Sequence, residues 1–199
     1  MTMTQSVARC KTILKKDFSL KSARFAAIDF ETANYDPESA CALAIVRVEC
    51  GKIQSKRSFL IRPPSKHFVF TWIHGIEWED VKGKPDFSCL WPQIGPLLSG
   101  VDFISAHNAR FDRKVLYSCC DMAKAMPPRA PFLCTVSLAR KAWGIRPTDL
   151  KNVCRHLRIP LQHHKASSDA SACAKIVISA LKQRKEIPKF MGPYHYFAM

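Results

Sequence analysis

Phe25-Ala26-Ala27-Ile28 is an apolar run that continues into Asp29-Phe30-Glu31-Thr32, where acids and apolar residues alternate. The stretch reads as a strand, with Ala27, Asp29 and Glu31 on one face and Ile28 and Phe30 on the other. Two further strands are expected over Ser39 to Glu49 and Ile53 to Ile61. Cys50-Gly51-Lys52 lies between them as a tight turn, which makes the pair a hairpin. Pro63-Pro64 stops strand pairing. His74-Gly75-Ile76 then leads into Glu77-Trp78-Glu79-Asp80, whose acids suit the positive end of a short helix. Phe87, Leu90, Trp91, Ile94 and Leu97 or Leu98 follow at helical spacing, so a helix is expected over Asp86 to Leu98.

Val101 to Ala106 reads as a short strand, Ala109 to about Met122 as a helix, and Phe132 to Trp143 as a strand leading into a helix. Thr148 is an expected N-cap for a helix carrying Leu150, Val153, Cys154 and Leu157, and the last helix is expected from about Ser168 to Lys182. This order predicts an α/β fold, a mixed sheet with an antiparallel hairpin plus parallel strands, flanked by helices. The site of such a sheet usually lies beyond the carboxyl ends of its strands. The expected organisation is a basic N-terminal tail (1–23), one domain (24–182) and a C-terminal tail (183–199).

Two helices break the polarity pattern at the same relative place. Asp112 precedes Val115, Leu116 and Cys119 at three, four and seven residues, so it lies on the apolar stripe at the start of its helix. Asp169, with Ser167 as the expected cap, precedes Cys173, Ile176 and Ala180 in the same way. A lone buried carboxylate costs several kcal/mol unless it is paired, hydrogen-bonded or bound to a metal. On the first strand, Asp29 and Glu31 stand about 6.6 Å apart, within reach of one pair of divalent ions. Clustered together, the four acids would repel one another without cations, and their oxygens suit Mg²⁺ or Mn²⁺. His164 and its neighbour His163 lie on the loop before Asp169, where an imidazole could take a proton from an attacking water.

Composition narrows the partners. The chain has 199 residues and carries 31 Lys and Arg against 16 Asp and Glu, a formal charge of +15 that favours polyanions such as nucleic acid. No apolar run approaches the roughly 18 residues of a membrane span, so no membrane partner is expected. Nine scattered cysteines, none in a C-x-x-C pair, fit neither a disulfide framework nor a zinc site. They point to free thiols in a reducing, cytoplasmic compartment.

Asp29-Phe30-Glu31-Thr32, Ala106-His107-Asn108-Ala109-Arg110-Phe111-Asp112 and His164-Lys165-Ala166-Ser167-Ser168-Asp169 together resemble the three motifs of the DnaQ-like DEDDh exonucleases. These belong to the RNase H-like superfamily, and the chain is similar to bacterial members of the kind of the epsilon subunit of DNA polymerase III. The resemblance runs from about Phe25 to Leu181 and implies 3′-to-5′ cleavage with two Mg²⁺ or Mn²⁺. It makes Asp29, Glu31, Asp112 and Asp169 the metal ligands. His164, five residues before the last acid, becomes the general base in preference to His163. Phe30, Thr32, His74, His107, Asn108 and Phe111 match positions that line the terminal-nucleotide pocket or support the site. The implied partner is nucleic acid with a free 3′ end, DNA favoured over RNA. An exoribonuclease and a non-catalytic binding module are the alternatives. The longer C-terminal extension by which the proofreading subunit joins its polymerase is missing, so polymerase association is not expected.

Overall fold

The computed structural model describes residues 19–187. Five strands form one sheet: β1 (Arg24–Thr32), β2 (Ala40–Glu49), β3 (Lys52–Leu60), β4 (Phe103–Ala106) and β5 (Phe132–Cys134), in the order β3-β2-β1-β4-β5. The β1–β2 and β2–β3 pairs are antiparallel, and β1–β4 and β4–β5 are parallel. Seven helices complete the described chain: α1 (Thr71–His74), α2 (Trp78–Val81), α3 (Phe87–Leu98), α4 (Ala109–Met122), α5 (Thr135–Trp143), α6 (Leu150–Leu157) and α7 (Ala166–Lys182). This is the expected mixed sheet flanked by helices.

The period-two pattern of β1 divides its apolar residues between two cores. Phe25 and Ala27 join Val46, Val48 and Phe103 under α5, α6 and α7; Ala26, Ile28 and Phe30 join Leu43 and Ile45 under α3 and α4. Phe25 and Phe103 stack with ring centroids 5.0 Å apart. Small residues let α7 lie close on the sheet, since Ala170, Ala172, Cys173, Ala174 and Ala180 are fully buried. Truncating a buried ring such as Phe103 to Ala costs about 3–5 kcal/mol, a large part of a domain's net stability.

Helix α3 forms despite Pro92 and Pro96, because Phe87, Leu90, Ile94 and Leu98 make one buried stripe. Arg47 donates from Nη1 to the carbonyls of Leu97 and Ser99 at 3.2 and 2.9 Å, satisfying acceptors at the end of that helix.

Several local expectations need correction. Asp149, not Thr148, caps α6, its carboxylate accepting from the Asn152 N–H at 3.0 Å. The Thr148 hydroxyl instead donates to the Ile145 carbonyl and accepts from Arg140 Nε at 2.9 Å. Helix α7 begins at Ala166, so Ser167 lies inside it rather than capping it, and the N-cap position Lys165 makes no side-chain cap bond. Helix α1 was not expected; it is a single turn closed by Gly75 at φ 75°, the left-handed conformation that glycine adopts freely. The packed region also starts before residue 24. Ala23 is fully buried, its carbonyl accepts from the Cys50 N–H, and Leu20 packs on the first core. The rest of the two expected tails, 1–18 and 188–199, lies outside the described residues.

The eight cysteines of the described residues are free. No helix among the described residues is long and apolar enough to cross a membrane.

Candidate active site

The site begins where β1 outlasts its parallel neighbour. Pairing with β4 covers Phe25–Ala27 only, so the N–H of Phe30 on that edge has no strand partner. The Asp112 carboxylate takes it, Oδ1 accepting from Phe30 N at 3.0 Å. That bond brings the first turn of α4 against β1 between Asp29 and Glu31, which project from the same face of the strand. Asp169 arrives from the first turn of α7, which crosses the sheet. A register shift in the β1–β2 ladder falls between Glu31 and Thr32. Such irregularities re-aim side chains beside functional sites.

Asp29 and Glu31 feel the other acids, and burial raises all four. Asp29 is held well above the usual carboxylate range, first by burial and then by Asp112, Glu31 and Asp169. Burial, followed by Asp169 and Asp112, pushes Glu31 up to about 8. Burial pushes Asp112 up to about 7, against the lowering effect of the Phe30 N–H. Burial raises Asp169 as well, opposed by His163. Asp112 and Asp169 are 2% and 4% exposed, hence their dependence on neighbours rather than water.

Asp169 is the less satisfied of the two. His163 Nδ1 donates to its Oδ2 at 3.0 Å and the His164 backbone N–H donates to the same oxygen at 3.2 Å. Its Oδ1 is buried and has no hydrogen-bond partner. A buried carboxylate oxygen without a partner is what a bound cation would satisfy, and an all-oxygen donor set suits a hard divalent ion. The residues present therefore fit divalent metal, with Asp29, Glu31, Asp112 and Asp169 as the groups that would hold it.

Two cavities meet at His164. One, of about 240 Å³, is lined by Glu31, Leu43, Leu60, His74, Ile76 and His164 among others. The other, of about 620 Å³, is lined by Lys151, Cys154, Arg155, Ile159, Leu161, His163 and His164. His164 has a left-handed backbone at φ 65°, and its ring stacks on that of His163 with centroids 3.8 Å apart. Burial, and then His163, hold its imidazole below the ordinary range.

The remaining expected site residues divide by how they are held. Nδ1 of His74 accepts from the Ile76 N–H at 3.1 Å, so its proton lies on Nε2, which donates to the Thr32 carbonyl at 3.1 Å. The ring thus closes the end of β1 while lining the smaller cavity. His107 donates from Nε2 to the Thr148 carbonyl at 3.0 Å and accepts at Nδ1 from the Thr135 hydroxyl at 2.8 Å. With both nitrogens engaged it supports the site and has nothing left for a ligand. Thr32 is buried. The Phe30 ring lies in the second core, 3% exposed, on the face that strand alternation gives it, and only its backbone N–H reaches the site. Asn108 stands at the N-cap position of α4 in the left-handed conformation, and its side chain makes no cap bond. It is exposed, as is Phe111.

Sequence reasoning missed Leu43, Leu60 and Ile76 as cavity-lining residues. Nothing local marks them, since they meet only through the sheet. It also underrated His163, whose sole signal was its place beside the matching histidine.

Residues 26–177 match the profile of the RNase T exonuclease family. The chain is 29% identical over 177 residues to the DNA polymerase III subunit epsilon of Aquifex aeolicus, covering 85% of this chain and 86% of that protein. It is 32% identical over 150 residues to exodeoxyribonuclease 10 of Escherichia coli K12, covering 70% and 60%. A PolC-type DNA polymerase III of Thermotoga petrophila is 28% identical over 178 residues, 87% of this chain. The chain spans only 13% of that polymerase's length. Among solved structures, exonuclease X in complex with 5′-overhanging duplex DNA superimposes with a TM-score of 0.66 at 26% identity, covering 80% of this chain and 92% of that one. With its three motifs gathered at one end of an RNase H-like sheet, the chain belongs to the DnaQ-like exonuclease family.

Proposed function

We propose that this protein is a 3′-to-5′ exonuclease that hydrolyses terminal phosphodiesters of single-stranded DNA with two Mg²⁺ or Mn²⁺ and releases nucleoside 5′-monophosphates. The observation that carries the reading is the convergence of four carboxylates from one strand and two helix starts: Asp112 bonds the Phe30 N–H between Asp29 and Glu31, and the charges of Asp112 and Asp169 raise both Asp29 and Glu31. Such a cluster is costly in a protein that does not bind cations.

Asp29, Glu31, Asp112 and Asp169 would hold the ions. Bound there, they supply Lewis acidity and stabilise the attacking and leaving oxygens of an in-line displacement. His164 is the general base. Its imidazole stays neutral at physiological pH because burial and His163 disfavour its charged form, so a ring nitrogen is free to take the proton of the attacking water. The smaller cavity, with Leu43, Leu60 and Ile76 as apolar walls and Glu31 at its edge, receives the terminal nucleoside. In-line attack requires the departing 3′-oxygen to lie opposite the water, so the remaining strand leaves on the side away from His164. Asn108 and Phe111, exposed at the start of α4, are available to the nucleic acid. The excess of 15 positive charges attracts the polyanion from a distance.

The choice of DNA draws on the relatives, one named a DNA polymerase subunit and another an exodeoxyribonuclease. The test is incubation of 5′-labelled single-stranded DNA and RNA of matched sequence with Mg²⁺, Mn²⁺ or chelator. Shortening of DNA one nucleotide at a time, lost in chelator, is expected. Faster RNA trimming would make the protein an exoribonuclease. Binding without cleavage in any metal would reduce it to a nucleic-acid-binding module.

A further inference from the structure

His163 holds Asp169 through Nδ1, yet a hard cation has no need of its ring nitrogens. Its place is not casual. The left-handed backbone of His164 turns the loop so that both imidazoles fall on the same side, stacked, over the first turn of α7. One nitrogen of each ring and one oxygen of Asp169 all lie within 4.8 Å of one another. The buried Asp169 Oδ1 has no partner. Two imidazoles and a carboxylate are the ligands of a borderline-soft ion, whereas Mg²⁺ has little use for ring nitrogens.

We propose that His163, His164 and Asp169 form a second, nitrogen-rich metal site for Zn²⁺ or an ion of its class, and that its occupancy stops the exonuclease. With bonds of about 2.0–2.1 Å, a tetrahedral ion needs ligand atoms roughly 3.3 Å apart. His163 Nδ1 and Asp169 Oδ2, at 3.0 Å, are already near that spacing. The His164 ring is exposed and closes the remaining gap by rotating its side chain. The adjoining cavity of about 620 Å³ leaves room for the water that completes the coordination. Lys151 and Arg155 on its wall oppose a cation, but both are exposed and screened by solvent. The three other carboxylates of the cluster, Asp29, Glu31 and Asp112, act the other way.

Binding needs nothing from the proposed activity; the inhibitory consequence rests on it. An ion held by His164 and Asp169 occupies the nitrogen that would take the proton and withdraws one carboxylate from the hard cations.

The full chain is titrated with Zn²⁺ against a chromophoric chelator, and with Co²⁺ for the visible absorption of a tetrahedral nitrogen-oxygen site. Cleavage of labelled single-stranded DNA in excess Mg²⁺ is followed in parallel as Zn²⁺ is added. One tight Zn²⁺ equivalent, a tetrahedral Co²⁺ spectrum and loss of cleavage are expected. His163→Ala should weaken Zn²⁺ binding by roughly tenfold or more, abolish the Co²⁺ signature and raise the Zn²⁺ needed for inhibition, measured against the variant's own rate with Mg²⁺ alone because His163 also holds Asp169. Zn²⁺ binding unchanged in His163→Ala places the ion among the carboxylates and overturns the proposal. So does the absence of a tight equivalent in the wild-type protein, or tight binding that leaves cleavage untouched. A wild-type protein that binds Zn²⁺ through His163 but cleaves no nucleic acid with Mg²⁺ would sink the functional reading and leave the site standing.

Discussion

Helices α4 and α7 each deliver an aspartate from the first turn into the same cluster, yet the two are held differently. Asp112 is fixed by the backbone, its Oδ1 bonded to the Phe30 N–H of the central strand. Asp169 is fixed by a loop, through the His163 side chain and the His164 N–H, and its other oxygen has no partner. A carboxylate tied to a sheet is a permanent wall of the site. One tied to two exposed histidines can exchange partners when an ion arrives. Asp112 therefore belongs to the scaffold as well as the chemistry, and Asp169 to the chemistry almost alone.

The largest expected effect treats the pair alike. Asp112→Asn and Asp169→Asn should each lower metal-dependent cleavage by roughly 10³-fold or more, because bound cations contribute several kcal/mol at about 1.4 kcal/mol per decade of rate. Residual activity near wild type in either variant would remove that aspartate from the site. Their stabilities should then part. In chelator, Asp169→Asn is expected to melt at or above the wild-type temperature, since it relieves repulsion and loses only a loop contact. Asp112→Asn should gain less, since its amide is a poorer acceptor for the Phe30 N–H. Equal shifts by calorimetry would erase this difference between the two aspartates.

His164→Ala should slow cleavage by about 10²–10⁴-fold while Mn²⁺ binding, followed by titration, stays close to wild type. Parallel loss of both would make the imidazole a ligand rather than a base.

The pH dependence has a definite sign. Glu31 is raised from an ordinary value of 4.5 to about 8 and Asp112 to about 7, so in the metal-free fold they keep protons that the unfolded chain has released. The folded state binds more protons across this window, and stability falls as pH rises through it. In chelator the melting temperature should drop between pH 5 and pH 8, and Mg²⁺ or Mn²⁺ should restore more of it at pH 8 than at pH 6. Glu31→Gln should flatten the curve. A melting temperature that rises over this range without metal would contradict the crowding of the acids.

The smallest effect concerns the support around His107. Asp149→Ala removes the cap of α6, whose preceding residue Thr148 accepts from the His107 ring. A loss of about 1 kcal/mol in stability with cleavage nearly unchanged is expected. A collapse in turnover would mean that α6 positions the site far more directly than these contacts imply.

Much of this was legible in the chain itself. The period-two run of β1 assigned Asp29 and Glu31 to one face, and the apolar stripes of α4 and α7 flagged Asp112 and Asp169, because strand and helix periodicities act over a few residues. Short-range chemistry was less certain: Asp149 displaced Thr148 as a cap, and the single turn α1 formed without any side-chain cap. Both are choices among near-equal local options that packing decides.

The sequence by itself determined the elements other than α1, which acids sit on apolar faces, and which side of the sheet each residue of β1 would take. Only the tertiary structure decided that β4 stops short of Phe30 and frees its N–H for Asp112. It also decided that Leu43, Leu60 and Ile76 close a cavity beside Glu31, and that His163 reaches Asp169. These contacts join residues far apart in the chain or across a reversed loop. Strand length, sheet order and helix placement set their partners, and no local pattern encodes them.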